Sequence, residues 1–82
     1  MYKLLIVEDD LIIAQGLQKH FEKYHYEVSC VENFENVLDD FIQYKPDLVL
    51  LDIHLPFFDG YYWCQEIRKI SQVPIVFISS AN

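Results

Sequence analysis

Four polar side chains directly follow short apolar runs of the sequence, and their types suit phosphoryl chemistry. Glu8 and Asp9 follow one run, Asp52 follows another, and Ser79 follows a third. Carboxylates held close together repel one another, and a hard divalent cation that prefers oxygen ligands, Mg²⁺ (or Mn²⁺), relieves that repulsion. We predict a metal bound directly by Asp9 and Asp52, with Glu8 acting through water and the backbone carbonyl of His54 as a further ligand. Asp52 is the predicted nucleophile, since a carboxylate can form an aspartyl-phosphate, and Ser79 is predicted to donate a hydrogen bond to a phosphoryl oxygen.

Acidic residues at strand ends also commonly cap helices or lie in solvated turns. We predict that simpler role for Asp10 and Asp59. Glu8 and Asp9 taken alone fit a cap and a metal site about equally well. The chemical interpretation is favoured because Asp52 and the hydroxyl of Ser79 also follow apolar strands, at separate places in the chain.

The elements that must position these residues alternate between strand and helix. Short apolar runs predict strands, and apolar residues spaced three and four apart predict helices. The predicted strands are 4–7, 26–31, 47–51 and 75–78, of which the second has mixed polarity and is expected at an edge. The predicted inward-facing residues are Ile13, Ala14, Leu17 and Phe21 in a first helix; Phe34, Val37, Leu38, Phe41 and Ile42 in a second, capped by Asn33; and Trp63, Cys64, Ile67 and Ile70 in a third. This alternation predicts an α/β fold, a doubly wound parallel sheet in which ligands bind beyond the carboxyl ends of the strands.

Composition narrows the class of protein. Eighty-two residues make one domain, and a net charge of -7 with six Lys and Arg leaves no basic surface for nucleic acid. Cys30 and Cys64 form no CxxC pair and are predicted to be reduced, half-buried thiols. His20 and His25 are predicted to lie on the surface. No signal peptide and no run of roughly 18 apolar residues is present, so we expect a cytoplasmic protein without a membrane partner.

Several stretches in register resemble the receiver domain of bacterial response regulators in two-component signalling, most closely the OmpR-type subgroup. They are Leu4-Leu5-Ile6-Val7-Glu8-Asp9-Asp10, Pro46-Asp47-Leu48-Val49-Leu50-Leu51-Asp52-Ile53, Leu55-Pro56 with Asp59-Gly60, Ile67-Arg68, and Pro74-Ile75-Val76-Phe77-Ile78-Ser79. The resemblance implies a flavodoxin-like (CheY-like) fold and a signalling module rather than an enzyme. It further implies a sensor histidine kinase as partner and a C-terminal winged-helix domain that binds DNA.

The resemblance also implies a role for each matching residue. Asp52 is the phosphorylated aspartate, Glu8 and Asp9 are the metal-binding pair, and Ser79 is the switch hydroxyl. The side chain of His54 flanks the phosphoryl site, and Ser80 takes a position that is usually small.

The sequence departs from the family pattern at its end. A full receiver has five strands, whereas this chain stops after the fourth, so residues 1–82 are expected to be the N-terminal portion of a receiver, incomplete with four of five strands and three helices. The lysine that ends the fifth strand is absent. We therefore expect weak or no stable phosphorylation of this chain by itself. We also expect self-association through an exposed edge of strand four.

Two other functions remain open. One is a degenerate receiver that is not phosphorylated and serves as a dimerisation or binding surface. The other is an aspartyl-phosphate-forming phosphatase of the haloacid dehalogenase type, which expects an Asp-x-Asp motif after the first strand, where this chain has Glu8-Asp9-Asp10.

Overall fold

The structure of the chain, a computed structural model, describes residues 1–79. Its elements in order are β1 (Lys3–Val7), α1 (Leu11–Glu22), β2 (Glu27–Cys30), α2 (Val37–Tyr44), β3 (Leu48–Asp52), α3 (Gly60–Arg68) and β4 (Ile75–Ile78). The four predicted strands and three predicted helices are therefore confirmed, with ends that differ by a few residues.

The strands form one parallel sheet in the order β2-β1-β3-β4. Strands β1 and β3 lie in the middle and are buried on both faces, because their apolar side chains alternate between two cores. One core joins Leu4, Ile6 and Leu50 to Ala14 of α1, and the other joins Leu5, Val7, Val49 and Leu51 to Val37, Phe41, Trp63 and Ile67 of α2 and α3. Helices thus cover both faces, which confirms the doubly wound flavodoxin-like fold, and β2 lies at an edge as predicted.

The first turn of α2 differs from the prediction. Asn33 was expected to cap this helix, but its side chain accepts a hydrogen bond from the amide of Glu35 at 3.0 Å, within a turn. The cap is Asn36, whose side-chain oxygen accepts from the amide of Asp39 at 3.1 Å. Both asparagines have the short acceptor that caps require, and only the one that precedes Val37 meets a helical amide.

Two residues predicted to face the core do not. Ile42 is 50% exposed, because it lies about 100° around the helix from Phe41, past the edge of the buried stripe. Ile70 is 56% exposed, because α3 ends at Arg68 and the chain has left the helix before Ile70 is reached. The other predicted helical core positions are buried or half-buried, although Phe34 lies in the turn before α2 and not in the helix.

The remaining residues singled out by type lie as expected. Cys30 and Cys64 are free and half-buried, and burial, followed by the charges of Glu22 and Glu32, raises the pKa of the Cys30 thiol. His20 and His25 are exposed. Among residues 1–79, no helix has the length and apolar character needed to cross a bilayer.

Candidate metal centre

The three carboxylates predicted to share a metal meet at one edge of the sheet. Strands β1 and β3 are parallel neighbours, and Val7 pairs with Leu51. The next residue of each strand is an acid, so Glu8 after β1 lies beside Asp52 at the end of β3. One carboxylate oxygen from each of Glu8, Asp9 and Asp52 lies within 4.8 Å of the others. Glu8 and Asp9 thus meet Asp52, which lies 44 and 43 positions later in the chain, because the sheet is parallel.

Burial differs among the three acids. Glu8 is 2% exposed and Asp52 is fully buried, whereas Asp9 is exposed to solvent. Glu8 Oε2 accepts a hydrogen bond from the amide of Asp10 at 3.0 Å, and Asp52 Oδ1 accepts from the amide of His54 at 3.2 Å. Three oxygen donors of like charge, with one side open to water through Asp9, fit a hard divalent cation. They do not resemble the sulfur and imidazole donors of a zinc site.

Ser79 follows β4 and lines a cavity together with one of the three acids, Glu8. A cavity of about 200 Å³ is lined by Glu8, Ile13, Leu17, Ile78 and Ser79. Strand β4 places Ile78 beside Asp52, and the amide of Ile53 donates to the carbonyl oxygen of Ile78 at 3.1 Å. The switch-hydroxyl role of Ser79 stays a prediction.

Two further predicted positions lie in or near this region. His54 is exposed, directly beyond β3, and its amide already binds Asp52. The predicted metal contact through the carbonyl of His54 stays a prediction. Ser80 lies outside the described residues.

The neighbouring acids have the simpler role predicted for them. Asp10 caps α1, where its Oδ1 accepts from the amides of Ile12 and Ile13 at 3.0 and 3.3 Å. Asp59 caps α3 and accepts from the amide of Tyr62 at 2.9 Å. Both are therefore helix caps next to the site.

A family model for the response regulator receiver domain matches residues 4–82. The chain belongs to that family. The curated relatives are response regulators of the OmpR type, as the resemblance implied.

The transcriptional regulatory protein YvcP of Bacillus subtilis is 56% identical over 80 residues, which are 98% of this chain and 34% of YvcP. The sensory transduction protein BceR of Halalkalibacterium halodurans is 45% identical over 82 residues, which are 100% of this chain and 36% of BceR. The chain thus spans about a third of the length of these curated relatives.

Solved receiver structures share the fold. The N-terminal domain of the nisin resistance regulator NsrR superposes with a TM-score of 0.89 at 48% identity, covering 100% of this chain and 69% of that one. The response regulator TrrA of Thermotoga maritima, in complex with Mg²⁺ and beryllium fluoride, gives 0.89 at 31% identity, covering 100% and 72%. TrrA has also been solved in complex with the histidine kinase ThkA, where the TM-score is 0.87.

Sequence patterns assigned Gly60 of this receiver domain no role beyond its place in the Asp59-Gly60 stretch that resembles the family. In the structure Gly60 begins α3 and is pressed against the end of β3. Its amide donates to the carbonyl oxygen of Ile53 at 2.9 Å, and a Cβ atom built on it would lie 2.3 Å from the carbonyl oxygen of Asp52. The sequence signal was its place directly after the helix cap Asp59, eight residues beyond Asp52.

Aromatic residues cluster in the loop before α3 and in the first turn of that helix. Phe57 has a φ of 69°, which is uncommon for a bulky residue, and the amide of Phe58 donates across it to the carbonyl oxygen of Pro56 at 2.8 Å. The rings of Phe58 and Tyr62 stack at 4.4 Å. Both rings also meet Trp63 edge-on, and Trp63 is in the core as predicted. Phe58 of the loop and Tyr62 of α3 therefore cover one side of that tryptophan.

Proposed function

We propose that this chain is the phosphoacceptor part of a response regulator and that a sensor histidine kinase phosphorylates it on Asp52. The observation that carries the proposal is the convergence of Glu8, Asp9 and Asp52 within 4.8 Å at the carboxyl edge of the sheet. Of the three, Asp52 ends the central strand β3 and is held by the amide of His54, so its direction is fixed. A carboxylate held rigidly at that edge is suited to attack a phosphorus atom.

The chemical step is an exchange of bonds at phosphorus. A carboxylate oxygen of Asp52 bonds to the phosphorus atom of a phosphohistidine as the bond from phosphorus to the imidazole nitrogen breaks. The electron pair of that bond stays with the imidazole, which takes up a proton. Ser79 donates a hydrogen bond to a phosphoryl oxygen of the product, and that contact reports the modified state to the rest of the domain.

Magnesium is the metal that we assign to this centre. Asp9, Asp52 and the carbonyl of His54 would hold it, with Glu8 acting through water, and Mn²⁺ could replace it. When bound, the ion neutralises negative charge on the transferring phosphoryl group, which is the main requirement of phosphoryl transfer. The oxygen-only donor set supports the assignment, as does the Mg²⁺ in the TrrA complex.

The partners follow from the relatives. TrrA binds the histidine kinase ThkA, and YvcP is a transcriptional regulatory protein. We therefore propose that residues 1–82 are the N-terminal portion of a receiver in a longer cytoplasmic protein, whose DNA-binding domain responds to phosphorylation. In this scheme the receiver is a signalling module that accepts a phosphoryl group, and turnover of substrates is not its function. The haloacid dehalogenase alternative has lost its support, since the candidate nucleophile follows β3 and the chain belongs to the receiver family.

The test is phosphorylation of the complete protein that contains this chain. We expect acetyl phosphate with Mg²⁺ to label Asp52, seen by mass spectrometry of its peptide, and we expect chelation of the metal to prevent labelling. Asp59→Ala is the matched control, because it removes an acid seven residues away that caps a helix outside the site. Label retained by Asp52→Ala would defeat the assignment. An unlabelled wild-type protein would favour the degenerate receiver, which acts only as a binding surface.

A further inference from the structure

The contact between Gly60 and the backbone of Asp52 is the least expected feature of the site region. The chain has two glycines, Gly16 and Gly60, and neither has a positive φ. Gly60 is therefore not needed for a left-handed backbone, which is the usual reason for glycine next to a turn. At the start of a helix, glycine is also a poorer helix former than alanine. Some other property must make a side chain unacceptable at this position.

The neighbourhood of Gly60 leaves no room for a side chain. A Cβ atom on Gly60 would lie 2.3 Å from the carbonyl oxygen of Asp52, 3.0 Å from its carbonyl carbon and 3.0 Å from Cα of Ile53. Real Cβ contacts essentially never fall below 3.0 Å, so the nearest atom would have to move by roughly 0.7 Å. All three neighbours are backbone atoms, which cannot turn away as a flexible side chain can. By contrast, nothing lies within 4 Å of the corresponding position on Gly16.

Hydrogen bonds hold the backbone of Asp52 and Ile53 between β4 and the start of α3. On one side, Asp52 pairs with Ile78 of β4, and the amide of Ile53 is bonded to the carbonyl oxygen of Ile78. On the helix side, the amide of Gly60 is bonded to the carbonyl oxygen of Ile53 at 2.9 Å. A methyl group forced between α3 and β3 would therefore shift Asp52 relative to Glu8 and Asp9.

We propose that Gly60 is a positioning residue for the metal centre: its lack of a side chain lets α3 press against β3 and sets the position of the Asp52 carboxylate. This inference rests on the function proposed above. Mg²⁺ requires near-ideal octahedral geometry with short bonds to oxygen. A shift of several tenths of an ångström in one ligand therefore weakens binding, and a shift of about 1 Å at a reacting group can cost roughly 100-fold in rate.

The experiment compares Mg²⁺ binding by wild-type protein and by Gly60→Ala. Binding is measured by titration calorimetry and by the fluorescence of Trp63, the single tryptophan of the chain. We expect at least a tenfold weaker Mg²⁺ affinity in Gly60→Ala. In the metal-free protein, we expect the NMR resonance of the His54 amide, which donates to Asp52 Oδ1, to shift because that hydrogen bond changes. Gly16→Ala, with open space around it, is expected to bind Mg²⁺ as the wild type does.

A second control separates position from helix stability. Asp59→Ala removes the cap of α3 and weakens that helix without placing an atom near Asp52. We expect it to lower the melting temperature and to leave Mg²⁺ affinity within about twofold of wild type. If Gly60→Ala requires trimethylamine N-oxide to fold, all proteins are titrated in that osmolyte.

The outcomes are distinct. Wild-type protein that binds no Mg²⁺ would defeat the proposed metal centre itself. Wild-type protein that binds Mg²⁺, together with Gly60→Ala of equal affinity or an equally weakened Asp59→Ala, would overturn only the role of Gly60. A Gly60→Ala chain that cannot fold even with the osmolyte would likewise overturn it, since the glycine would then serve the fold as a whole.

Discussion

Replacing Asp52 by Asn should raise the stability of the metal-free protein while lowering its response to Mg²⁺. Asn has almost the shape of Asp, and its side-chain oxygen can still accept the hydrogen bond that the amide of His54 donates at 3.2 Å. The substitution therefore removes one negative charge from a fully buried position and leaves packing nearly unchanged. The change in stability therefore measures how much charge repulsion at the site destabilises the fold.

The magnitude follows from the separation of the carboxylates. Two unit charges 4.8 Å apart repel by roughly 3.5 kcal/mol at an effective dielectric constant of about 20. Neighbouring groups and the exposure of Asp9 to water screen part of this repulsion, so we expect a gain of about 1–2 kcal/mol. For a chain of this length, each kcal/mol shifts the melting temperature by about 4–8 °C. Saturation with Mg²⁺ at about 100 times its dissociation constant would add roughly 2.7 kcal/mol to the wild type and less to the variant.

The assay is thermal unfolding by circular dichroism, in chelator and along a Mg²⁺ series. The curves of melting temperature against Mg²⁺ should converge or cross, with Asp52→Asn higher at the start and wild type rising more steeply. Glu35→Gln, which removes one charge from an exposed turn, should leave both the starting value and the slope close to wild type. A metal-free Asp52→Asn that melts below wild type, or two parallel curves, would refute the reasoning.

Three further outcomes are expected. Burial, and next the contact with Glu27, raises the pKa of Tyr44 to about 12. The stability that Tyr44 contributes is therefore complete below pH 10 and is lost as pH rises toward about 12. The difference in melting temperature between wild type and Tyr44→Phe should shrink over that range, and a constant difference would contradict the prediction. Phe57→Gly should stabilise the chain by about 0.5–1 kcal/mol in urea unfolding. A left-handed backbone costs a bulky residue roughly 1–2 kcal/mol, and the greater conformational entropy of glycine in the unfolded chain cancels part of the gain. A lower unfolding midpoint than that of wild type would contradict the prediction. Val76 is 48% exposed on β4, which is an edge strand among the described residues. We therefore expect light scattering to show self-association of the 82-residue chain, and Val76→Lys to reduce it. A monodisperse wild-type monomer would contradict the prediction.

Periodicity predicted the elements because the sheet is buried on both faces. The apolar runs that became β1 and β3 admit few other interpretations, and each is followed by the acid that the site uses. The second helix was placed too early because Asn33 and Asn36 both have side chains suited to capping. Ile42 and Ile70 show a second limit, since apolar residues beyond the buried stripe or beyond a helix end look the same in sequence as core residues.

The acidic edge was predictable for a topological reason, and Gly60 was not. Parallel strands that are neighbours must bring their carboxyl ends together, so three acids after two strands could be placed in one site without coordinates. The contact at Gly60 depends on how closely α3 approaches β3, where Trp63 and Ile67 pack in the same core as Leu51. The residue types in the sequence do not indicate the distance between α3 and β3.

The geometry of this edge links metal binding to folding. Glu8 and Asp52 are removed from water beside one another, which disfavours the folded chain, while Asp9 stays at the surface where an ion and a phosphoryl donor can arrive. A small domain has little stability to spare, so an ion that offsets this repulsion acts on the fold as well as on the chemistry. A phosphoryl group on Asp52 would change the same balance of charge, and Ser79 lines the same cavity as Glu8. Signalling by this domain is therefore expected to begin where β3 pairs with β4, because Ile78, the residue before Ser79, lies beside Asp52 in the sheet.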